Sequence, residues 1–294
     1  MAAAPQPTSS LQFVLGAVAV PRHWRLGAGP IIAAVVLLLI VIATVFAPLY
    51  VPHDPLSMDA VQRLKGPSAE YWIGTDAYGR DLFSRVMIGG QVSLFIGIGA
   101  AIVSVFIGLL IGLVSGFFRI ADAIIMRIMD SLMAIPSILL AIALVALNGP
   151  SLWSVIFAIT IPEIPRVVRL VRAVVLSARE EPYVEAAIAV GSSMPKILWK
   201  HLMPNTLAPL IVQGTYICAS AILVEAILSF LGAGVSTEIP TWGNIMAEGR
   251  IYFQIKPSLI FWPGLLLSLC ILSINLLGDT ARDLLDPRLK KREA

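Results

Sequence analysis

Six apolar runs, at 30–50, 91–117, 131–147, 152–168, 207–231 and 258–277, alternate with polar interruptions along the chain. Each is close to the roughly 20 apolar residues that a helix needs to cross a bilayer. The pattern predicts an all-α membrane protein with six transmembrane helices. One interruption differs from the rest: residues 185–205, EAAIAVGSSMPKILWKHLMPN, between the fourth and fifth runs. Its first part, 184–190, is alanine-rich and helix-prone, and Gly191-Ser192-Ser193 breaks it. Residues 194–202 then read as a second short amphipathic helix closed by Pro204.

Several positions stand out within the runs. Gly108, Gly112 and Gly116 recur every four residues, so they share one helix face and permit close helix packing. Asn148-Gly149-Pro150 is so short a turn that the third and fourth spans must be antiparallel neighbours. Pro162 and Pro165 remove two helical donors, which predicts a kink where Glu163 and Arg166 begin a polar zone. Arg166, Arg169, Arg172 and Arg179 then keep to one side of a continuing helix, as a basic extension. Asp122, Arg127 and Asp130 mark the aqueous end of the third span. Inside spans five and six lie Glu225 and Asn275; such groups need partners, and both read as polar glue between helices, with a solute contact as the other reading of Glu225.

Composition agrees with a membrane chain: 58% of the 294 residues are hydrophobic and 13% charged, against about 25% charged in globular proteins. Counting Lys and Arg on the two sides of a six-span arrangement gives 15 on one and 6 on the other. The richer side is cytoplasmic by the positive-inside rule, which places both termini and 185–205 in the cytoplasm. The resulting organisation is a cytoplasmic segment at 1–29, a first transmembrane helix at 30–50 and an extracytoplasmic loop at 51–87. A five-helix core follows at 88–279, with cytoplasmic helices at 182–204 between spans four and five, and a cytoplasmic tail at 280–294. Arg22, His23 and Arg25 ahead of the first run resemble a secretory signal, but that run is span-length, so an uncleaved anchor is expected.

Chemistry is mostly excluded. There is no G-x-x-x-x-G-K-[ST] loop to cradle nucleotide phosphates, so no ATP site is expected in this chain. The three histidines, His23, His53 and His201, are widely separated, and Cys218 and Cys270 lie far apart in apolar runs, so neither a metal site nor a disulfide framework is expected. No G-x-S-x-G elbow marks a nucleophile. Lys and Arg flank apolar segments rather than forming an aromatic-laced basic surface, which argues against nucleic acid.

Glu185-Ala186-Ala187, three residues, Gly191, nine residues, His201, one residue and Met203-Pro204 resemble the EAA signature of ABC importer permeases. The His-x-Met-Pro ending is similar to the peptide and nickel subfamily. Three further blocks carry the same resemblance: 74–81 with Ser84-Arg85, then 228–232, and 275–279 running to Asp286-Pro287-Arg288. The amino-terminal span and its long loop look like the C-type permease of such systems. The resemblance implies a non-catalytic subunit in the bacterial inner membrane. Its implied partners are a homologous permease, two ATPase subunits carrying ATP and Mg, and an extracytoplasmic solute-binding protein. Glu185, Ala186, Ala187, Gly191, His201 and Pro204 would form the ATPase-coupling helices. Gly79 and Arg80 are candidates for meeting the binding protein, or else form a turn and an internal ion pair with Asp76 or Asp81. Short peptides are the expected cargo, with nickel, glutathione or opines as alternatives. A stand-alone transporter using Glu225 as its ion site, or a membrane enzyme, is the reading from a different class.

Overall fold

The computed structural model describes residues 27–285, so most of the amino-terminal segment and the end of the tail, with Asp286-Pro287-Arg288, lie outside the described residues. The helices are α1 (Ala28–Val45), α2 (Ala47–Tyr50), α3 (Leu82–Phe117), α4 (Arg119–Met133), α5 (Ser137–Asn148), α6 (Leu152–Ala178), α7 (Pro182–Ala189), α8 (Met194–Lys196), α9 (Met203–Phe230), α10 (Trp242–Gly249) and α11 (Ser258–Leu285). Among the described residues there is no strand, only an isolated bridge between Thr75 and Asp81. Among the described residues four helices are long and apolar enough to cross a membrane: Ala28–Val45, Leu82–Phe117, Met194–Phe230 and Ser258–Leu285. A fifth arises if α4 and α5 together count as one broken span.

The bundle is organised on α3. Along one face, Gly108, Gly112 and Gly116 meet Val167, Val171 and Val175 of α6, all three fully buried. A methyl group on any of these glycines would fall 2.5–2.6 Å from the facing valine Cβ, inside contact distance, so the two backbones approach as closely as they do because the side chains are absent. On another face Leu94 packs with Ile222 and Ala226 of α9 and with Trp242 of α10. α1 joins through Ile40 in the same cluster as Leu267, Cys270 and Ile274 of α11.

Several helices do not coincide with the apolar runs. The third run is not one straight helix: α4 and α5 meet at an 89° bend. Pro136 lies at that break, and because its ring blocks the preceding turn, α5 starts afresh at Ser137. The helix that carries the second run begins at Leu82, ahead of Gln91, where Asp81 accepts a hydrogen bond from the Ser84 amide at 3.0 Å and caps it. Helix α6 stays continuous through Pro162 and Pro165. Finally, the connection between the fifth and sixth runs contains α10. Thr241 caps it by accepting from the Asn244 amide, and the Trp242 indole donates to the Val86 carbonyl at 3.0 Å.

Candidate functional site

At one end of the bundle the chain leaves α6 and forms an elbow. Helix α7 stops at Val190 because Gly191 takes φ +82, the left-handed region that costs other residues about 1–2 kcal/mol. The Gly191 amide donates to the Ile188 carbonyl and the Ser192 amide to that of Ala187, the double closure of a Schellman turn. A side chain at Gly191 would point into open space, so within this chain the backbone conformation, not crowding, calls for glycine. After the turn α8 runs into a wider π-helical segment, Ile197–Leu202, and then α9 without interruption.

That continuity corrects the expectation that Pro204 closes the second short helix. It sits in the first turn of α9, where a missing amide is tolerated. Beneath the elbow Val184, Ile197 and Leu202 are fully buried with Val175 of α6. Glu185 and Ala186 are exposed while Ala187 is buried. His201 is half-buried; its carbonyl accepts from Asn205, whose amide also donates to the Tyr183 hydroxyl at 3.0 Å and so ties α7 to α9. Around the bend Ile188, Val190, Met194 and Trp199 stand exposed, Val190 to 86%. The EAA spacing does not draw attention to this apolar knob. A reading for four apolar side chains on either side of a helix-breaking glycine finds it.

The arginines that follow Pro165 are individually partnered. Arg172 grips Asp122 of α4 with two bonds, at 2.5 and 2.7 Å, and Arg169 reaches Asp130 at 2.6 Å. Arg179 donates to the Gly116 carbonyl at 3.3 Å, and Arg166 to Glu163 at 2.9 Å. Asp122 is held below the ordinary carboxylate range by its bonds to Arg172 and Ser115.

Toward the opposite end, Gly79 and Arg80 turn inward. Gly79 takes φ +78, and any side chain there would collide with the Asp59 carbonyl. Arg80 is only 3% exposed and sits in an internal network that includes the ion pair with Asp76 its spacing offers. It bonds Asp76 at 2.6 Å and Glu248 of α10 at 2.5 Å, while Arg85 bonds the same two carboxylates at 3.0 and 3.1 Å. Paired charges can be buried this way because each neutralises two neighbours. Burial pushes the Glu248 carboxyl up to about 7 in spite of Arg80. Sequence spacing could not join Glu248 to Arg80, because 168 residues separate them. Glu225, fully buried, accepts from Ser229 at 2.8 Å and from Ser93 of α3 at 3.5 Å. Ser93 in turn accepts from the Trp242 amide at 3.1 Å, so the carboxylate staples α3, α9 and α10. Among the described residues no group of three His, Cys, Asp or Glu could hold a metal ion.

Residues 104–291 match the family model described as "binding-protein-dependent transport system inner membrane component". The chain belongs to that family. It is therefore a multi-pass permease component of the bacterial inner membrane. The matched region includes the glycine stripe, the elbow and Glu225, and it excludes Gly79 and Arg80. Among curated relatives, a probable peptide ABC transporter permease protein of Sinorhizobium fredii is 51% identical over 246 residues, 84% of each chain. A dipeptide transport system permease protein of Alkalihalophilus pseudofirmus is 41% identical over 88% of this chain and 86% of its own. A glutathione transport system permease protein of Pectobacterium atrosepticum is 40% identical, covering 88% and 87%.

Proposed function

We propose that this permease is one half of the membrane pathway of an ATP-driven importer of short peptides, and that the 182–204 elbow couples it to separate ATPase subunits. The observation that carries the coupling reading is the exposed knob of Ile188, Val190, Met194 and Trp199 around a hydrogen-bonded bend, a shape that fits a groove on another protein. The peptide reading rests on the relatives named for peptide and dipeptide transport. The relative named for glutathione transport keeps import of that tripeptide-like solute as the second reading. Nickel and opines rest on the sequence resemblance alone.

In this reading α6 is the fourth of six spans, its charges turned from lipid, and the arginine-rich end with the elbow and both termini faces the cytoplasm. ATP and Mg reside on two ATPase partners. A second, homologous permease completes the pathway, an extracytoplasmic binding protein delivers the solute, and lipid surrounds the bundle. Glu185, Ala186 and the exposed Pro204 face the ATPase, Ala187 seats the elbow on its own bundle, and His201 holds through its carbonyl the Asn205 side chain that ties α7 to α9.

The mechanical step follows from the unbroken helical path Met194–Phe230. With 37 residues it is about 55 Å long at the α-helical rise. Movement of the elbow on ATP closure is thus delivered straight into α9. Transport requires that each nucleotide state favour one opening energetically. Replacing Gly191 by Val tests this. Its side chain meets open space, so the bundle should remain folded while the left-handed turn is lost. The expected result is loss of ATPase co-purification and of ATP-driven uptake. Unchanged coupling and uptake in the variant complex would contradict the assignment.

A further inference from the structure

Arg166 lies about halfway along α6 with its side chain 51% exposed. A guanidinium there cannot face hydrocarbon without a large penalty, so this face must meet water or another protein. Two cavities mark the same face. One, of about 310 Å³, is lined by Glu163, Arg166 and Asn275; the other, of about 480 Å³, is lined by Arg282 of α11 and Asn205. Gln213 and Tyr216 of α9 belong to both walls, so the two cavities adjoin. The Tyr216 hydroxyl donates to Asp279.

Both signs of charge border these cavities. Arg166 holds both oxygens of Glu163, at 2.9 and 3.2 Å, Arg282 of α11 lines the second cavity, and Asp279 stands behind Tyr216. A groove between α3 and another face of α9 supplies the contrast: Ile98, Ile102, Leu109 and Ile211 line it with almost no polar surface, as lipid or a packed helix requires. From these observations we infer that the Glu163–Arg166 face is the water-filled wall of the solute path and binds zwitterionic solutes, the carboxylate at Arg166 and the ammonium at Glu163. Neither group then pays the full cost of desolvation as the solute passes, because each exchanges one opposite charge for another. The ligand class rests on the peptide reading above; the wall itself does not.

Two measurements on the reconstituted complex separate these parts. Asn275→Cys and, as a control in the apolar groove, Ile102→Cys are treated with a membrane-impermeant charged thiol reagent, with and without ATP; the unsubstituted chain sets the background from Cys218 and Cys270. The inference expects labelling of Asn275→Cys, at a rate that changes with nucleotide, and none of Ile102→Cys. No labelling of Asn275→Cys in either state would overturn it and assign the face to packing against a partner helix. For the ligand class, uptake of dialanine is compared between the wild-type complex and Glu163→Gln/Arg166→Gln. A fall of about tenfold or more, the scale of one lost charge-assisted contact, is expected, with labelling of Asn275→Cys retained in that background. Unchanged dialanine uptake would overturn the zwitterion assignment. A wild-type complex that takes up no dialanine would overturn the peptide reading, while labelling still decides the wall.

Discussion

Gly112 is held against Val171 so closely that one methyl group alters the fit of two helices. Gly112→Ala should destabilise the permease by about 1–3 kcal/mol, the usual cost of overpacking. Gly99 is the matched comparison, since a methyl there meets only Ile156 at 3.6 Å. Gly99→Ala should be neutral or slightly stabilising through helix propensity. Thermal melting of the purified variants checks both, and equal melting temperatures would remove the case for a tight α3–α6 seam. Glu248 yields a second prediction at this scale. Its carboxyl is raised from 4.5 to about 7, with burial the main cause. The folded protein therefore holds this proton more tightly than the unfolded chain. Its contribution is fully present below pH 4.5 and is lost as pH rises through about 7. Arg80 and Arg85 bond the group directly, and both also bond Asp76 beside it. Glu248→Gln should flatten the decline in melting temperature across that window. A decline as steep as in the wild type would place the titrating group elsewhere.

Among the helices, long apolar periodicity was legible and irregular geometry was not. The glycine spacing at 108, 112 and 116 announces a packing face, but the valine ridge that fills it sits on another helix, more than 50 residues away. Pro136 lay inside a run that hydropathy joins, and only chain direction reveals the 89° bend. Pro204 reads as a stop from its neighbours, yet the π-helical turn before it leaves room for the missing amide and the helix goes on. Helix α10 was missed because it is short and half polar, although Thr241 and the apolar positions Trp242 and Ile245 are a start signal in plain sight. The internal partners of Arg80, Arg172 and Glu225 are products of tertiary folding, which sequence separation conceals. Glu225 shows what that means for function. Because its bonds go to Ser93 and Ser229, both able to pair with an amide, Glu225→Gln should keep assembly and uptake. Intact assembly with abolished uptake would make it an ion or solute site instead.

Across the whole molecule, an elbow at one end and an ion-paired lid of loop and α10 at the other are joined by α3, α6, α9 and α11. The long path from Met194 to Phe230 connects the elbow with the helix that also borders the polar cavities. A coupled permease needs this arrangement: one surface to receive work, one wall to meet solute, and a stiff connection between them. A stand-alone transporter would need none of the elbow. The decisive measurement is dialanine accumulation in proteoliposomes holding the complete complex and its binding protein, with ATP supplied at the ATPase side or with a proton gradient alone. The account predicts accumulation that requires ATP and is lost in Gly191→Val. Accumulation driven by the gradient without ATP, abolished by Glu225→Gln and indifferent to Gly191→Val, would contradict it.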